Sequence, residues 1–550
     1  MDNVRLILWA TFGLVLWFTY RAWVLQYPPD APVEQTPAGQ TYDEFAPGGE
    51  ADLPQLDQLD RAAPQLPQPS RQATGPDRPI RIRTDVFEAI IDGQGGDLVR
   101  IDLLDYPVDK NAEPLVPTRL LDFAGDDRWV YQTGLRGTSG EEEPNHLATF
   151  SAGASEYVLP DSVDELTVSL DWQSGGPPRA RKIYTFRRGQ YAVDLDLVID
   201  NDSDVPWNGA AYAQILRRHN PVGRSFTSVD SYSFTGPVLY DGDQFDKLDV
   251  DDLRTEPITQ SLAGGWHASI QHHFLAAAVP PPPEEIHYQA SARGADYVLS
   301  AVTNVMEVAP GESRDFRFTL FVGPKLQDQL AEAGPRLELT VDYGIFTFLA
   351  LPLFWVLDKI FGFVGNWGWS IVITTLLIKL AFYKLTETSG RSMAKMRKLQ
   401  PRMKALQETY KDNREQLSRH MMELYKREKV NPAAGCLPIL IQMPFFFAFY
   451  WVLIESVELR QAPFMLWIDD LSSRDPYFVM PLLMGAAMLV QTRLNPAPPD
   501  PMQARIMQIM PIVFTVFFAF FPAGLVLYWL TNTALSILQQ WRINKVIAAD

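Results

Sequence analysis

Residues 371–385 read IVITTLLIKLAFYKL, an apolar run that carries a lysine, Lys379, inside it. A run this apolar predicts a helix in contact with hydrocarbon, and a lysine at such depth costs about 3 kcal/mol on membrane-insertion scales. The ammonium of Lys379 must therefore be paired, face a watery cavity or snorkel toward the nearer helix end. The stretch leaves these alternatives open, but it predicts that the C-terminal part of the chain lies in a membrane.

Similar apolar runs follow Val341 along the rest of the sequence. They lie near residues 345–363, 367–385, 435–454, 477–492, 508–521 and 523–538. The first contains Pro352, Asp358 and Lys359, which favours an amphipathic helix in the membrane interface over a span. A further apolar run, Leu6–Tyr20, predicts an uncleaved signal anchor rather than a cleaved signal peptide, because no A-x-A-like site follows it. The sequence thus predicts six transmembrane helices.

Two segments of different composition lie between the anchor and the C-terminal apolar runs. Residues 27–79 contain eleven prolines together with Gln, Asp, Gly and Ala, a composition that predicts a flexible linker. From residue 80, short alternating runs broken by Gly, Pro, Asn and Asp predict antiparallel strands in a sandwich or barrel. These runs are Val86–Ile91, Leu98–Leu104, Leu166–Trp172, Ile183–Phe186, Tyr191–Ile199 and Phe316–Val322. We expect one large all-β domain.

The charge of the chain is distributed unevenly. Within the net charge of -18, residues 341–550 hold 21 Lys and Arg against 15 Asp and Glu, and the remainder holds 27 against 51. The acidic bulk argues against nucleic acid as the main ligand. Residues 386–432 carry twelve basic side chains against six acidic ones, whereas residues 455–476 are acidic. Because cytoplasmic loops are enriched in Lys and Arg, both termini are predicted inside and the all-β domain outside.

Signatures of covalent chemistry are missing from the sequence. It has no H-E-x-x-H, G-x-S-x-G or G-x-x-x-x-G-K-[ST] motif. His267, His272 and His273 form a cluster, but alternation along a strand would place His272 on the opposite face, which makes three-ligand zinc geometry awkward. The single cysteine, Cys436, excludes an intramolecular disulfide and is predicted to be a buried inert thiol. We expect no catalytic residue, no metal and no cofactor.

Several predicted spans contribute polar side chains of their own. Thr375 lies one turn from Lys379 on the same helix face. In the third span Gln442 shares a face with Phe446, and Tyr528, Thr531 and Asn532 put polar groups into the last span. Lipid does not stabilise such groups, so a shared hydrated cavity accounts for them together.

Residues 389–429 predict two helices joined by a turn near Lys411–Asn413. Apolar residues recur at steps of three and four, namely Met393, Met396, Leu399, Met403, Leu406 and Tyr410, then Leu417, Met421 and Leu424. This spacing predicts an antiparallel helical hairpin. Its seam is either ordinary core or, because methionine is adaptable, part of a contact surface. The residues predicted for that surface are Met393, Lys395, Met396, Arg397, Lys398, Met421 and Met422.

The C-terminal part carries a specific resemblance. The stretches are VGNWGWS (364–370), SMAKM (392–396) with LQP (399–401), EKVNP (428–432), QMP (442–444), SVELRQAPF (456–464) and FPAGLVLY (521–528). Together they resemble the YidC/Oxa/Alb family of membrane protein insertases, in its long six-span form, continuously over about residues 340–541. Over the all-β domain the resemblance rests on layout and on Gly264, Gly265 and Trp266.

The resemblance implies a bacterial inner-membrane protein that inserts and folds other membrane proteins without nucleotide or cofactor. The family has a groove open to the cytoplasm and to lipid, with one basic residue in the second span, where Lys379 stands. The groove residues implied here are Lys379, Thr375, Gln442, Met443, Phe446, Tyr528 and Trp529, the last in place of a frequent tyrosine. Implied partners are nascent membrane proteins, the lipid bilayer, the Sec translocon with its accessory subunits, and the ribosome and targeting machinery, with no direct nucleic-acid function.

The implied layout begins with the signal anchor (1–26), the linker (27–79) and a periplasmic β-supersandwich (80–335). An interfacial helix (336–365) precedes the remaining transmembrane helices at 366–386, 433–455, 477–494, 506–521 and 523–541. Between and after them lie the cytoplasmic hairpin (387–432), a periplasmic loop (456–476), a cytoplasmic loop (495–505) and a short tail (542–550). The fold class expected is therefore a five-helix insertase core with an anchor helix and a large all-β domain.

Two other function classes compete with insertion. A transporter or channel for an anionic solute would also use an intramembrane lysine, but it needs a path to the outside, where Phe521–Gly524 predicts a tight turn. A sugar-active enzyme is the second, because supersandwich folds are shared with carbohydrate-binding domains. It would require carboxylates and histidine that converge on one sheet face.

Overall fold

The computed structural model describes residues 79–550 apart from residues 125–126, 139–142, 175, 221–232, 282–284, 411–412, 429, 431–436, 495–500 and 550. The predicted signal anchor, the linker up to residue 78 and Cys436 lie outside the described residues. The chain divides into two compact units whose boundary falls between Val341 and Asp342. Each unit is described by itself.

The described part of the first unit contains twenty strands and two short α-helices. The strands are β1 (Pro79–Arg83), β2 (Phe87–Asp92), β3 (Leu98–Pro107), β4 (Pro117–Leu121), β5 (Trp129–Gly137), β6 (Phe150–Ala152), β7 (Glu156–Val158), β8 (Glu165–Trp172), β9 (Arg179–Arg187), β10 (Ala192–Asp200), β11 (Trp207–Arg218), β12 (Gly236–Tyr240), β13 (Phe245–Lys247), β14 (Ile258–Ala263), β15 (Trp266–Ile270), β16 (Phe274–Val279), β17 (Glu285–Arg293), β18 (Asp296–Thr303), β19 (Met306–Val308) and β20 (Ser313–Pro324). The helices are α1 (Val250–Thr255) and α2 (Gln327–Ala333).

These strands form three sheets. The first has the order β4-β3-β2-β1-β7, and the second has the order β13-β12-β15-β16-β20-β10-β9-β8-β6. The third has the order β14-β17-β18-β11-β19, and β5 also pairs with β11. The Tyr131 hydroxyl on β5 donates hydrogen bonds to the carbonyls of Ala277 (2.7 Å) and Phe321 (3.0 Å). The third sheet therefore packs face to face on the second, which confirms the predicted all-β sandwich.

Alternating polarity explains the face that each strand buries. β10 reads AVDLDLVID and buries every second residue between Val193 and Ile199. Its outward carboxylate Asp194 pairs with Arg187 on β9 at 2.6 Å. Asp196 pairs likewise with Arg317 on β20 at 2.6 Å. The apolar side chains form the core, and the exposed ion pairs add little stability of their own.

Helices dominate the described part of the second unit. They are α3 (Thr347–Val364), α4 (Trp367–Ala381), α5 (Tyr383–Thr409), α6 (Arg414–Arg427), α7 (Leu437–Glu455), α8 (Val479–Leu494), α9 (Pro501–Phe518) and α10 (Ala523–Ala549). α3 ends at Gly365, whose φ of 65° is left-handed and suits glycine. The Asn366 side chain then accepts a hydrogen bond from the Trp369 N–H (3.0 Å) and caps α4. α10 packs against α4, α5, α7 and α8.

The described helices differ in whether they are long and apolar enough to cross a membrane. Within the described residues, one helix, Gly344–Val364, is long and apolar enough to cross a membrane. A second qualifies if Trp367–Ala381 and Tyr383–Met396, bent by 66°, count as one span. The 16 residues of α8 rise only about 24 Å, short of a ~30 Å hydrocarbon layer. The number of spans and their bounds remain predictions.

Two predicted boundaries fall inside observed helices. The hairpin was expected to begin at residue 387, but its first helix, α5, begins at Tyr383, directly after the break at Phe382. The sequence gives no signal for this break because Phe382 and Tyr383 are as apolar as their neighbours. The last helix was expected to end at residue 541, but α10 continues to Ala549.

Candidate functional site

Lys379 lies in the last turn of α4 and is only 8% exposed. Its Nζ donates a hydrogen bond to the hydroxyl of Ser536 on α10, at 2.7 Å. The C-terminal end of a helix carries partial negative charge, so this position favours an ammonium group. Within the described residues Lys379 forms no ion pair. Its charge is therefore buried beside a neutral partner.

The hydroxyl groups around Lys379 are mostly used by their own helices. Thr375 is buried, and its Oγ1 donates to the Ile371 carbonyl at 2.7 Å. Ser536 Oγ donates to the Asn532 carbonyl, also at 2.7 Å. Thr375 thus lies on the Lys379 face, as predicted, without a hydrogen bond to it. Sequence reasoning missed Ser536, although it continues the four-residue step from Tyr528 through Asn532 along one face of α10.

Aromatic side chains gather at another level of α10. The Phe446 ring lies 5.0 Å from Trp529 and 6.4 Å from Tyr528 between centroids. Phe449 stacks on Tyr528 at 4.7 Å, and Phe518 lies 5.4 Å from Trp529. The structure thus brings the predicted Phe446, Tyr528 and Trp529 together. The sequence pattern did not identify Phe449 and Phe518.

Two predicted groove residues are not part of either cluster. Gln442 and Met443 are half-buried on α7. The Gln442 side chain forms no hydrogen bond with Lys379 within the described residues. The eight residues from Tyr528 to Ser536 correspond to about 12 Å along α10, so the aromatic cluster and the ammonium occupy different depths of one helix face.

The turn between α9 and α10 is held by a loop that precedes α8. Ala523 N–H donates to the Ser473 carbonyl (2.6 Å), and Gly524 N–H donates to the Leu471 carbonyl (2.9 Å). The Asp475 carboxylate accepts from the Met480 N–H at 2.6 Å, near the start of α8. Backbone hydrogen bonds therefore tie this loop to the turn at one end of the helical unit.

The predicted hairpin forms, and its seam is packed. The cluster consists of Leu399, Met403, Met421, Leu424 and Val430, with Met396, Leu406, Leu417 and Tyr425 partly buried against it. Met421 was predicted for a contact surface, but it is 3% exposed because its spacing from Leu417 and Leu424 points it into the seam. Met396 is likewise partly in the seam, whereas Met422, Lys395 and Lys398 are exposed. The side chains of Met393 and Arg397 lie outside the described residues.

A second buried lysine, Lys182, lies in the β-sandwich. Its Nζ donates to Asp97 Oδ1 (2.8 Å), the Gly95 carbonyl (2.5 Å), the Thr133 carbonyl (2.8 Å) and Thr133 Oγ1 (2.8 Å). Burial lowers the pKa of Lys182 and raises the pKa of Asp97, and their ion pair opposes both shifts. Burial and the nearby Lys182 lower the pKa of His146 to about 3. The Lys182 ammonium is therefore satisfied within the core.

The three clustered histidines lie on two different segments of the β-sandwich. His267 is buried on β15, whereas His272 and His273 lie in the turn between β15 and β16, with rings stacked at 3.7 Å. The expected strand alternation was wrong because the strand ends at Ile270. Among the described residues, no group of three or more His, Cys, Asp or Glu side chains is placed to hold a metal ion.

Comparison with known proteins decides the family. The family model described as "60Kd inner membrane protein" matches residues 359–550, and the one described as "YidC periplasmic domain" matches residues 79–356. The chain belongs to the YidC family. The insertase YidC of Thioalkalivibrio sulfidiphilus is 46% identical over 100% of this chain and 99% of its own length. YidC of Methylococcus capsulatus is also 46% identical, with the same coverage of both chains.

A solved structure of an active YidC insertase, with its first transmembrane domain resolved, is 20% identical and covers 84% of this chain and 92% of its own, with a TM-score of 0.39. Membership of the YidC family makes the chain an inner-membrane protein with a periplasmic β-sandwich and a helical region, as expected. Membrane protein insertion is accordingly its function. The YidC relatives are named insertases rather than enzymes, transporters or sugar-active proteins.

Proposed function

We propose that the chain inserts nascent membrane proteins through a hydrated, positively charged groove centred on Lys379, without covalent chemistry. The observation that carries this proposal is the buried ammonium with a neutral partner. Lysine has three N–H donors, and the bond to Ser536 uses one of them. The other two are available to an acidic side chain of a client's translocated segment. Thr375, Gln442, Met443, Phe446, Tyr528 and Trp529 are the further residues that we assign to the groove.

Electrostatic attraction in the groove lowers the cost of moving a short polar segment part-way into the membrane. Two unit charges 4 Å apart attract by about 4 kcal/mol at an effective dielectric of 20, against about 1 kcal/mol in water. As the client's apolar segment enters lipid beside α7 and α9, hydrophobic transfer supplies the driving force. No nucleotide, cofactor or metal takes part in this mechanism.

The outer surface of α8 and α9 supports an entry to lipid. Exposed apolar side chains cover it, among them Leu482, Leu489, Ile509, Val513 and Phe517. A Cβ built on Gly485 of α8 would lie 1.9 Å from the Thr515 hydroxyl of α9, so glycine permits the close approach of the two helices. The exposed apolar face of these two helices would give a client helix a place to pack as it leaves the groove.

The layout that we propose has six transmembrane helices, both termini in the cytoplasm and the β-sandwich in the periplasm. Loop charge supports this orientation. α3 is assigned to the membrane interface, since Phe348, Trp355 and Phe363 are exposed beside Asp358 and Lys359. The other segment bounds are those expected from the sequence, with the first hairpin helix beginning at Tyr383.

Partners are proposed for each side of the membrane. The basic hairpin would contact the ribosome and targeting machinery through Lys395, Lys398 and Met422, which are exposed. Met393, Arg397 and the partly buried Met396 are assigned to the same surface from the sequence. The periplasmic β-sandwich would contact accessory subunits of the Sec translocon, and some clients would be inserted together with that translocon.

Complementation of cells depleted of their own insertase tests the groove. The client is a small membrane protein with an acidic translocated tail, and the variants are Lys379→Arg, Lys379→Ala and Lys379→Glu at equal protein levels. Lys379→Arg should support insertion, whereas Ala and Glu should fail because the positive charge is lost or reversed. Lys384→Ala, which removes an exposed lysine five residues away, is the matched control. Equal rescue by all variants would contradict the charge mechanism.

A further inference from the structure

The contact between Lys379 and α10 has a defined hydrogen-bond direction. An ammonium group only donates, so Ser536 Oγ must accept from Lys379 Nζ across the 2.7 Å contact. The single proton of Ser536 is directed to the Asn532 carbonyl, also at 2.7 Å. This bond to the residue four positions earlier fixes the hydroxyl with its lone pairs available to the ammonium.

The Ser536 hydroxyl is a neutral acceptor, so it does not cancel the charge of the Lys379 ammonium. A carboxylate at the same position would form an ion pair with Lys379 and cancel much of its field. A hydroxyl binds one N–H and leaves the net charge unchanged. A lysine side chain is flexible and long enough to carry its ammonium toward the interface. The hydrogen bond to Ser536 opposes this movement.

We infer that Ser536 is a positioning residue, which anchors the Lys379 ammonium inside the groove by a neutral hydrogen bond and keeps its charge available to client carboxylates. The inference rests on the proposed function of Lys379. Asn532 contributes through its backbone carbonyl, which orients the serine hydroxyl. The ligand chemistry that this arrangement selects is an acidic side chain, which accepts from the two remaining N–H groups.

A charge-graded client series tests the role of Ser536 in the full-length protein in membranes. Clients that differ only in carrying no, one or two acidic residues in the translocated tail are inserted by wild type, Ser536→Ala, Ser536→Thr, Thr533→Ala and Lys379→Ala. Thr533 is a buried hydroxyl residue one turn away on α10 and is the matched control. Ser536→Ala should lower the insertion rate of the two-acid client about tenfold, the scale of a hydrogen bond to a charged group.

The same series separates positioning from general packing. The client without acidic residues should be inserted by Ser536→Ala at the wild-type rate, and Ser536→Thr should retain most activity because it keeps the hydroxyl. An equal loss for all three clients would overturn the inference in favour of a packing role. If Ser536→Ala is inert while Lys379→Ala lowers insertion of the two-acid client, the inference fails and the proposed groove stands. If Lys379→Ala is inert too, both fail.

Discussion

Both compact units contain a buried lysine, and Lys182 of the β-sandwich and Lys379 of the helical unit differ in their partners. In the β-sandwich, Lys182 is 1% exposed and is surrounded by a carboxylate, two carbonyls and a hydroxyl. In the helical unit, Lys379 is 8% exposed and donates to one hydroxyl. Lys182 is neutralised by Asp97, whereas Lys379 keeps its charge. Lys182 is satisfied within the fold, whereas among the described residues Lys379 donates only to Ser536, which fits the client-binding role that we propose for it.

The comparison teaches that burial alone does not mark a functional charge. A buried ion pair contributes little net stability, but removal of one partner is costly because the other charge stays buried. A buried charge without a counter-ion has no such structural explanation and indicates a role in binding. Two changes test this distinction and a third tests the burial of a neutral group, and they follow in order of the free energy expected.

Loss of Lys182 should have the largest effect. Lys182→Met leaves the Asp97 carboxylate buried without its cation, and we expect the free energy of unfolding to fall by about 3–5 kcal/mol. Pulse proteolysis of the detergent-solubilised protein across a urea series measures the change. The double variant Lys182→Met with Asp97→Asn is the control, and its loss should be smaller than the sum of the two single losses. Simple additivity would mean that the pair is not coupled.

A carboxylate partner for Lys379, like the one that Lys182 has, should have an intermediate effect. Ser536→Asp would place a carboxylate against Lys379 and neutralise it as Asp97 neutralises Lys182. We expect insertion of the two-acid client to fall about tenfold, or about 1.4 kcal/mol, while resistance to unfolding is retained. Ser536→Asn, of similar size and without charge, is the control for steric change. If Asp and Asn variants insert this client equally, neutralisation does not explain the loss.

The smallest expected effect concerns His267, a buried neutral group. Burial lowers the pKa of His267 from 6.5 to about 3, and neither ring nitrogen has a hydrogen-bond partner within the described residues. Between these values the unfolded chain binds a proton that the folded chain rejects, so stability is full above pH 6.5 and falls on acidification. From pH 7 to pH 6 the loss should be about 0.7 kcal/mol.

His267→Phe isolates this contribution. The phenyl ring keeps the edge contact with Tyr288, whose centroid lies 6.2 Å away, and it cannot be protonated. Unfolding measured at pH 7 and pH 6 should show a smaller acid loss in the variant than in wild type. Identical pH dependence in the two proteins would mean that His267 is not buried as a neutral ring.

The sequence was sufficient for much of the fold because periodicity is local information. Alternation predicted strands that the structure contains, such as the run Leu166–Trp172 within β8. Spacing of three and four predicted that Leu399, Met403 and Leu424 would pack in the hairpin seam. The position of a lysine inside an apolar run likewise identified Lys379 as a candidate functional residue.

Partners distant in sequence could not be predicted in the same way. Lys182 occupies an inward position of β9, between the buried Ala180 and Tyr184, but its counter-ion Asp97 is 85 residues away. The 157 residues between Lys379 and Ser536 are bridged by helix packing, which no periodicity reports. The break at Phe382 was missed because an apolar run predicts a helix and says nothing about its bend.

The loop that holds the turn between α9 and α10 has a consequence for ion gradients. The N–H groups of Ala523 and Gly524 are already taken by the carbonyls of Ser473 and Leu471, which leaves neither N–H free to continue a file of water molecules. In the proposed orientation this turn lies at the periplasmic end of the groove. With the hydrated groove that we propose, a turn closed in this way would let a cell keep a water-filled recess in its membrane without proton or sodium leakage, so that insertion would not discharge the membrane potential.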